Sequence, residues 1–201
     1  MKKLHLYLEE ELQGKFSPKK LNLLLLFQVN CPGCFIYGIP TFNNLHEMYR
    51  DKIGFLGLST AFEDFDLNTR YNTQALVHNS ELIGETKKAF LQQDIGRLPY
   101  RLNFPVAMDA SLQLIKKREL VEIICKGNPN FPIWPDFDQD FFRTKVADYI
   151  DTQESSGLTF VANQFKGTPT LVLFNEKYDL LQSWFGHEQI EVIIDKIEAF
   201  I

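Results

Sequence analysis

Two apolar runs of strand length, at residues 21–29 and 53–60, constrain the fold of this chain more than any other feature. Their sequences are LNLLLLFQV and IGFLGLST, and such continuous apolar runs are typical of strands buried on both faces of a sheet. Between them, apolar side chains recur at spacings of three and four residues up to about residue 50, which predicts a helix. A strand, a helix and a strand within about forty residues form a βαβ unit, so we expect the two strands to be parallel.

The remaining segments continue this alternation of strands and helices along the chain. The patterns predict a loop at 63–71, helical structure at 72–96, a short strand at 104–109, a helix at 111–125, a proline-rich irregular connection at 127–138, a helix at 140–152, two strands around a turn at 168–187, and a closing helix at 188–201. The sequence therefore predicts the α/β class, with a central sheet that carries helices on both faces.

Charge and hydropathy argue against two classes of partner. The chain has a net charge of −5 and no large cluster of lysine and arginine, so it lacks the basic face that nucleic-acid binding requires. Its most apolar run, at 21–29, is less than half of the about 20 residues that a membrane span needs. Glutamates at 9–11 interrupt the segment after the first lysines, so we expect no signal peptide. These features predict a cytoplasmic protein that binds neither nucleic acid nor membrane.

A Cys-Pro-Gly-Cys motif, residues 31–34, lies where the first predicted strand meets the helix. In open α/β sheets, functional groups collect at the carboxyl ends of the strands. We predict that Cys31 occupies the N-cap and that Pro32 is the first helical residue, where a missing N–H costs nothing. The free N–H groups and the dipole of a helix start favour a Cys31 thiolate. Cys34, which lies one turn inside the helix, is expected to be more buried and to keep its proton until it resolves a mixed disulfide.

Two other roles for the cysteine pair are a zinc site and a static disulfide. A structural zinc ion needs four ligands, and the other candidate ligands form no pair with the usual spacing. Those candidates are His5, His46, His78, Cys125 and His187. A disulfide that closes a two-residue loop adds little stability, and a reducing compartment would open it. The residues therefore favour a redox-active dithiol over both alternatives, and no metal is expected.

Three segments, in this order, resemble the thioredoxin superfamily and in particular its TlpA-like redoxin branch. They are LLLLFQVNCPGC, FPVAMD and FKGTPTLVLFNEKYDLLQSWFGH. The resemblance extends roughly from residue 8 to residue 187, and additional sequence at about 111–155 interrupts it. It implies a thioredoxin-like fold with a central mixed sheet, in a single domain over residues 1–201 that carries a helical and loop insertion at about 111–155.

The resemblance also implies roles for residues around the cysteines. It implies that Pro169 is a cis proline facing Cys31, and that the backbone beside Thr168 pairs with an extended substrate segment. Pro32 and Gly33, between the cysteines, complete the substrate-binding residues that it implies. From the residues alone, an ordinary trans proline at the start of a strand is the alternative for Pro169.

The chain departs from the family at two positions beside the motif. Asn30 stands where the family usually has tryptophan, and Leu25 stands where thioredoxins carry a buried aspartate. Without that aspartate, proton uptake by Cys34 needs water or another acid. The candidates for this proton relay are Glu63 and Asp64, just beyond the second strand.

A third departure lies in the helix that follows the motif. Pro40 is six residues after Cys34, one more than is usual in the family, and Gly38 is the candidate for the extra residue. Neither residue between the cysteines is charged, and no histidine there stabilises the thiolate strongly. We therefore expect a moderate reduction potential, similar to that of a reductant.

The leading hypothesis is a thiol-disulfide oxidoreductase that exchanges its Cys31–Cys34 dithiol with disulfides of proteins or small molecules. This reaction needs no cofactor but does need an upstream electron donor, which the sequence does not identify. The alternative is a binding module of the same fold with non-catalytic cysteines, in which aromatic residues of the insertion contact a partner. Cys125 is expected to be an inert thiol. A copper site at His187 is disfavoured, because copper-handling relatives space their cysteines more widely.

Overall fold

A six-stranded mixed sheet forms the centre of the protein in the computed structural model, which describes residues 2–153 and 155–201. Its strands are β1 (Leu8–Gln13), β2 (Leu21–Phe27), β3 (Gly54–Ser59), β4 (Val106–Asp109), β5 (Thr170–Asn175) and β6 (Leu180–Phe185). Their spatial order is β1-β4-β3-β2-β5-β6. β2, β3 and β4 are parallel to one another, and the other three pairings are antiparallel. The mixed sheet and the parallel pairing of β2 with β3 confirm the predictions.

The central strand β2 is buried on both faces, as its unbroken apolar run predicts. Leu23 and Leu25 belong to one cluster of buried side chains, the Leu23 cluster, and Leu24 and Leu26 belong to a second, the Leu24 cluster. Successive Cβ atoms of a strand point to opposite faces, so the two clusters lie on opposite sides of the sheet. Apolar residues are therefore needed at nearly every position, which is why the strand shows no alternating pattern.

Seven α-helices within the described ranges cover the two faces of the sheet. They are α1 (Ile39–Tyr49), α2 (Arg70–Asn79), α3 (Gly84–Leu91), α4 (Lys117–Lys126), α5 (Asp136–Asp151), α6 (Leu158–Asn163) and α7 (Ile190–Glu198). Buried residues of α1, α2, α3 and α7 join the Leu23 cluster, and those of α4, α5 and α6 join the Leu24 cluster. Burial of apolar surface in these two layers is the main force that holds the helices on the sheet.

Two elements, β1 and α6, are absent from the sequence prediction. β1 has the sequence LEEELQ and lies at the edge of the sheet, where its glutamates remain partly exposed. Because charged residues fill the middle of this strand, the sequence shows no apolar pattern that would predict it. α6 has six residues, all buried, and is too short for helical periodicity to show. The helical stretch predicted at 72–96 forms two helices, because Ser80 adopts a left-handed conformation between α2 and α3.

The segment between β4 and β5 contains two short 3₁₀ turns and the helices α4, α5 and α6. Leu120 of α4 and Ile150 of α5 are buried in the Leu24 cluster together with residues of the sheet. This shared core shows that the segment packs with the sheet, while one domain with an insertion at about 111–155 stays a prediction. Within residues 2–153 and 155–201, no helix is both long enough and apolar enough to cross a bilayer.

Candidate active site

The Cys-Pro-Gly-Cys motif follows the carboxyl end of β2, where the chain turns into the helix that continues as α1. Pro32 is the first helical residue and Cys31 immediately precedes it, as the motif predicts. Cys31 and Cys34 form a disulfide with a Cα–Cα distance of 5.3 Å. Cys31 is partly exposed, whereas Cys34 is completely buried. The two cysteines therefore differ in access, and Cys31 is the one that a partner molecule can reach.

Backbone groups on two sides surround the sulfur of Cys31. The Cys34 amide lies 3.2 Å from Cys31 Sγ and donates to the Cys31 carbonyl over 2.9 Å. An N–H group at a helix start stabilises negative charge, so this donor favours the thiolate of the reduced pair. On the other side, the carbonyl oxygen of Thr168 lies 3.6 Å from the same sulfur. The sulfur thus lies between the helix start and the segment that precedes β5.

The Thr168–Pro169 peptide bond is cis, and not the trans alternative. Pro169 packs against the motif, since its Cδ lies 3.8 Å from the position that a Cβ would occupy on Gly33. The Thr168 carbonyl contacts Cys31. The structure therefore brings the predicted substrate-binding residues and the two cysteines together at one end of the sheet.

A π turn, Cys34–Gly38, begins at the last residue of the motif and leads into α1. In this turn the Ile39 amide donates to the Cys34 carbonyl five residues earlier, whereas an α-helix bonds residues that are four apart. A π turn accommodates one extra residue in a helix. This extra residue accounts for the six-residue spacing from Cys34 to Pro40, and the turn includes Gly38, the predicted candidate for it.

Gly38 lies directly against Pro169 in this π turn. A Cβ atom on residue 38 would lie 2.8 Å from Pro169 Cβ and 3.6 Å from Leu25 Cδ1. Non-bonded carbon atoms pack best at about 3.5–4.0 Å, so a side chain here would force the turn or the proline to move. The missing side chain therefore lets the helix contact the proline that lies beside the dithiol.

We expect a Gly38→Ala variant to be less stable than the wild type by about 1–3 kcal/mol, the usual cost of overpacking. At an unhindered helical site the same change stabilises by about 1 kcal/mol, so the sign of the effect reports the contact with Pro169. Denaturant unfolding of the oxidised protein measures it. Gly96→Ala is the control for an unhindered glycine outside the helices, because nothing lies within 4 Å of a Cβ on residue 96. Unchanged stability of the Gly38→Ala variant would contradict the contact.

Tyr100 completes the hydrogen bonding of the π turn. In the π pattern the Phe35 carbonyl would accept from residue 40, but that residue is Pro40, which has no N–H. The Tyr100 hydroxyl donates to the Phe35 carbonyl instead. Burial raises the pKa of Tyr100, so the hydroxyl keeps its proton and stays a donor. Sequence reasoning missed Tyr100, because 65 residues separate it from its partner.

We expect a Tyr100→Phe variant to lose about 1–3 kcal/mol of stability, because the Phe35 carbonyl loses its donor while the aromatic ring remains. Denaturant unfolding against the wild type gives the difference. Tyr71→Phe serves as the control, since the Tyr71 side chain is 76% exposed. A loss no larger than that of the control would show that the hydroxyl does not support the π turn.

Two buried polar residues, Gln28 and Asn30, lie just before the motif and were not selected as site residues from the sequence. Gln28 Oε1 accepts a hydrogen bond from the Thr168 hydroxyl over 3.2 Å. The Asn30 side chain donates through Nδ2 to Asp64 Oδ2 over 2.8 Å. Of the two, the sequence singled out only Asn30, at a position where the resemblance implies tryptophan. Both residues therefore belong to the surroundings of the dithiol.

The carboxylates considered for the proton relay, Glu63 and Asp64, are exposed in the loop after β3. Asp64 reaches Asn30, but neither carboxylate is hydrogen-bonded to a cysteine sulfur within the described part of the chain. Cys34, which would receive the proton, is completely buried. The relay through these two residues therefore stays a prediction.

Cys125 and His187 occupy different surroundings. Cys125 is buried in the Leu24 cluster and Cys34 in the Leu23 cluster, so the sheet separates Cys125 from the disulfide. Burial also raises the pKa of the Cys125 thiol. The His187 ring packs on Tyr37 with a centroid distance of 4.7 Å. Among residues 2–153 and 155–201, no three His, Cys, Asp or Glu side chains are grouped so that they could hold a metal ion.

Two solved structures resemble this one over nearly its whole length. A thiol-disulfide isomerase from Corynebacterium glutamicum is 18% identical with a TM-score of 0.61, and the match covers 98% of this chain and 94% of that chain. A protein of the thioredoxin-like superfamily is 22% identical with a TM-score of 0.56, and the match covers 100% of this chain and 96% of that chain. No protein-family model and no curated protein matches the sequence. The structural similarity shows a thioredoxin-like fold, which confirms the fold that the sequence resemblance implied.

Proposed function

We propose that this protein is a thiol-disulfide oxidoreductase that exchanges its Cys31–Cys34 pair with a disulfide of a protein or a small molecule. The observation that carries the proposal is the disulfide at the helix start, in which one cysteine is accessible and the other is buried. The structural likeness to a protein described as a thiol-disulfide isomerase agrees with it. A static crosslink would need neither the accessible sulfur nor the donor that favours its thiolate.

The exchange proceeds in two displacements at sulfur. The Cys31 thiolate attacks one sulfur of the substrate disulfide, and the second substrate sulfur leaves as a thiolate that takes a proton. Cys34 then gives up its proton and attacks Cys31 Sγ. This step displaces the first substrate sulfur as a second thiol and forms the Cys31–Cys34 disulfide. Two electrons and two protons pass to the substrate, and an upstream electron donor must return them.

The substrate is proposed to lie over Thr168 and Pro169. The Thr168 carbonyl lies 3.6 Å from Cys31 Sγ, so a chain that pairs with this backbone would bring its disulfide close to the attacking sulfur. Pro32 and Gly33 carry no polar side chain and leave the approach to Cys31 open. Main-chain pairing of this kind suits extended polypeptides of varied sequence.

A binding module with non-catalytic cysteines is the second candidate, and an exposed apolar stripe on the insertion favours it. Phe137 is 81% exposed, Ile133 is 80% exposed, and Phe141, one turn further along α5, is 58% exposed. Phe137 and Phe141 are four residues apart and share a helix face. Exposed apolar side chains that share a helix face often mark a contact site for a protein.

A redox titration separates the two functions. If the proposal is correct, dithiothreitol converts the disulfide reversibly into two thiols, and the protein catalyses reduction of a test protein such as insulin. A double variant, Phe137→Ser with Phe141→Ser, should keep this activity, because α5 packs against α4 through other residues, among them the buried Val146 and Ile150. Failure of the wild type in both assays would contradict exchange and favour the binding module.

The setting that we propose is the cytoplasm, with no cofactor beyond the dithiol itself. One cysteine pair and one free buried thiol, Cys125, suit a reducing compartment better than they suit a disulfide-stapled secreted protein. Thiol alkylation in intact cells tests this setting. A pair that is largely reduced supports it, and a pair that is fully oxidised contradicts it.

A further inference from the structure

We propose that Asn30 is a positioning residue for the dithiol; this inference rests on the proposed exchange function. Asn30 holds the chain immediately before Cys31 by three hydrogen bonds. The Asn30 amide donates to Asn68 Oδ1 over 2.9 Å, and the side-chain Nδ2 donates to Asp64 Oδ2 over 2.8 Å. The side-chain Oδ1 accepts from the Glu85 amide over 2.7 Å. Asn30 and these three partners form what we call the Asn30 clamp.

The partners of the Asn30 clamp are fixed by contacts of their own. Asn68 is buried and donates through Nδ2 to a backbone carbonyl of the same loop over 2.9 Å. Thr86, in the first turn of α3, donates through its hydroxyl to the Val29 carbonyl over 2.9 Å. Residue 84 is glycine, and a Cβ there would collide with Asn30 Oδ1. The loop after β3 and the start of α3 thus enclose the Asn30 side chain closely.

A second hydrogen-bonded path connects the same loop to the other side of the dithiol. Gln28 donates through Nε2 to the Glu63 carbonyl over 3.4 Å and accepts through Oε1 from the Thr168 hydroxyl over 3.2 Å. The Thr168 carbonyl in turn lies 3.6 Å from Cys31 Sγ. The Asn30 clamp and this Gln28 path therefore hold Cys31 and the Thr168 carbonyl to the same loop, the one that follows β3.

The position of Cys31 matters because, among the residues that the structure describes, one backbone donor lies close enough to stabilise its thiolate. The Cys34 amide is 3.2 Å from Cys31 Sγ, and hydrogen bonds to an ionised group are about twice as strong as neutral ones. Without the two hydrogen bonds of the Asn30 side chain, residue 31 is held less tightly and this distance lengthens. The pKa of the Cys31 thiol then rises, and the equilibrium between dithiol and disulfide shifts toward the disulfide.

The negative charge of Asp64 predicts the opposite result if it acts on Cys31 directly. A carboxylate near a thiol raises the pKa of the thiol, so removal of the charge would lower that pKa. Two substitutions separate the effects, because residue 64 has a φ of 47°, which Asn and Gly both tolerate. Asp64→Asn removes the charge and keeps an oxygen that accepts from Asn30. Asp64→Gly removes both the charge and the acceptor.

The test measures the pKa of the Cys31 thiol and the equilibrium of the whole reduced chain with dithiothreitol. We expect Asn30→Ala to shift this equilibrium toward the disulfide by about tenfold, and Asp64→Gly by about threefold, each with a raised thiol pKa. Asp64→Asn should remain within about twofold of the wild type. Asp64 is exposed, so its variants decide the test even if Asn30→Ala does not fold.

Asn163→Ala is the matched control, because Asn163 is also a buried asparagine that bonds to backbone groups, those of His5 and Thr159, in the opposite core layer. It should lose stability with no change in thiol pKa or equilibrium. Wild-type values in both Asn30→Ala and Asp64→Gly, or an equal shift in the control, would overturn the positioning role. If the pKa of the Cys31 thiol falls in both Asp64 variants, the Asp64 charge acts on the thiol directly and the positioning role is wrong. A wild type without reversible exchange would instead contradict the proposed function.

Discussion

A Cys34→Ser variant is expected to accumulate a mixed disulfide with an oxidised substrate, whereas Cys31→Ser should form none and lose exchange by about a thousandfold or more. Cys31 is partly exposed and lies beside the Cys34 amide, while the Cys34 side chain is completely buried. The accessible sulfur with the stabilised thiolate attacks first. Without the second sulfur, nothing displaces the substrate from Cys31, so the covalent adduct persists.

Non-reducing electrophoresis and mass spectrometry of each variant, mixed with an oxidised test protein, measure this trapping. Cys125→Ser is the control, because Cys125 is buried on the opposite side of the sheet and should leave both trapping and exchange unchanged. Equal trapping by Cys34→Ser and Cys31→Ser would contradict the assigned roles. Trapping by Cys31→Ser and not by Cys34→Ser would mean that Cys34 is the attacking cysteine and Cys31 the resolving one.

The centre of the fold could be predicted from the sequence, because burial on both faces leaves an unbroken apolar run. The runs at 21–29 and 53–60 gave β2 and β3 and their parallel pairing. The edge strand β1 could not be predicted in this way, whereas the other edge strand, β6, was predicted as part of the two strands at 168–187. Leu8–Gln13 pairs along one side only, and its charged side chains face water, so its strand conformation depends on the partner strand β4 and not on its own composition.

The position of the cysteine pair could be predicted because the two cysteines lie within one helical turn of each other. The polar contacts around it could not, since they join distant parts of the chain. Asn30 meets partners 38 and 55 residues away, and the Tyr100 hydroxyl meets a carbonyl 65 residues away. A single sequence shows which residues can donate and accept, but only the folded topology determines which donor meets which acceptor.

Asp109 illustrates the same limit in a group that lies outside the proposed reaction. The sequence places it at the end of a short strand, and folding leaves it only 5% exposed. Its carboxylate accepts from the Thr60 hydroxyl over 2.8 Å, and from the amides of Thr159 and Phe160 over 2.8 and 3.1 Å. Burial raises the pKa of Asp109 to about 6, although these donors act to lower it. The neutral form is therefore favoured by folding.

An Asp109→Asn variant is expected to gain stability relative to the wild type as the pH rises from about 4 to about 7. Because the pKa of Asp109 is about 6 in the folded protein and 3.8 ordinarily, the folded state binds more protons between these values. Its contribution to stability is fully present below pH 3.8 and is lost as the pH rises through 6. At about 1.4 kcal/mol per pKa unit, the loss is roughly 3 kcal/mol. An amide has no charge to bury and escapes this loss.

Denaturant unfolding of both proteins across this pH range measures the difference in stability. Asp179→Asn is a control of opposite sign, because hydrogen bonds from Lys3 and Asn175 hold the pKa of Asp179 below its ordinary value. The stability that Asp179 contributes is present at neutral pH and is lost in acid, so the deficit of its variant should shrink as the pH falls. A constant difference between Asp109→Asn and the wild type from about pH 4 to 7 would mean that Asp109 is already ionised at the acid end. In that case its three hydrogen-bond donors outweigh its burial.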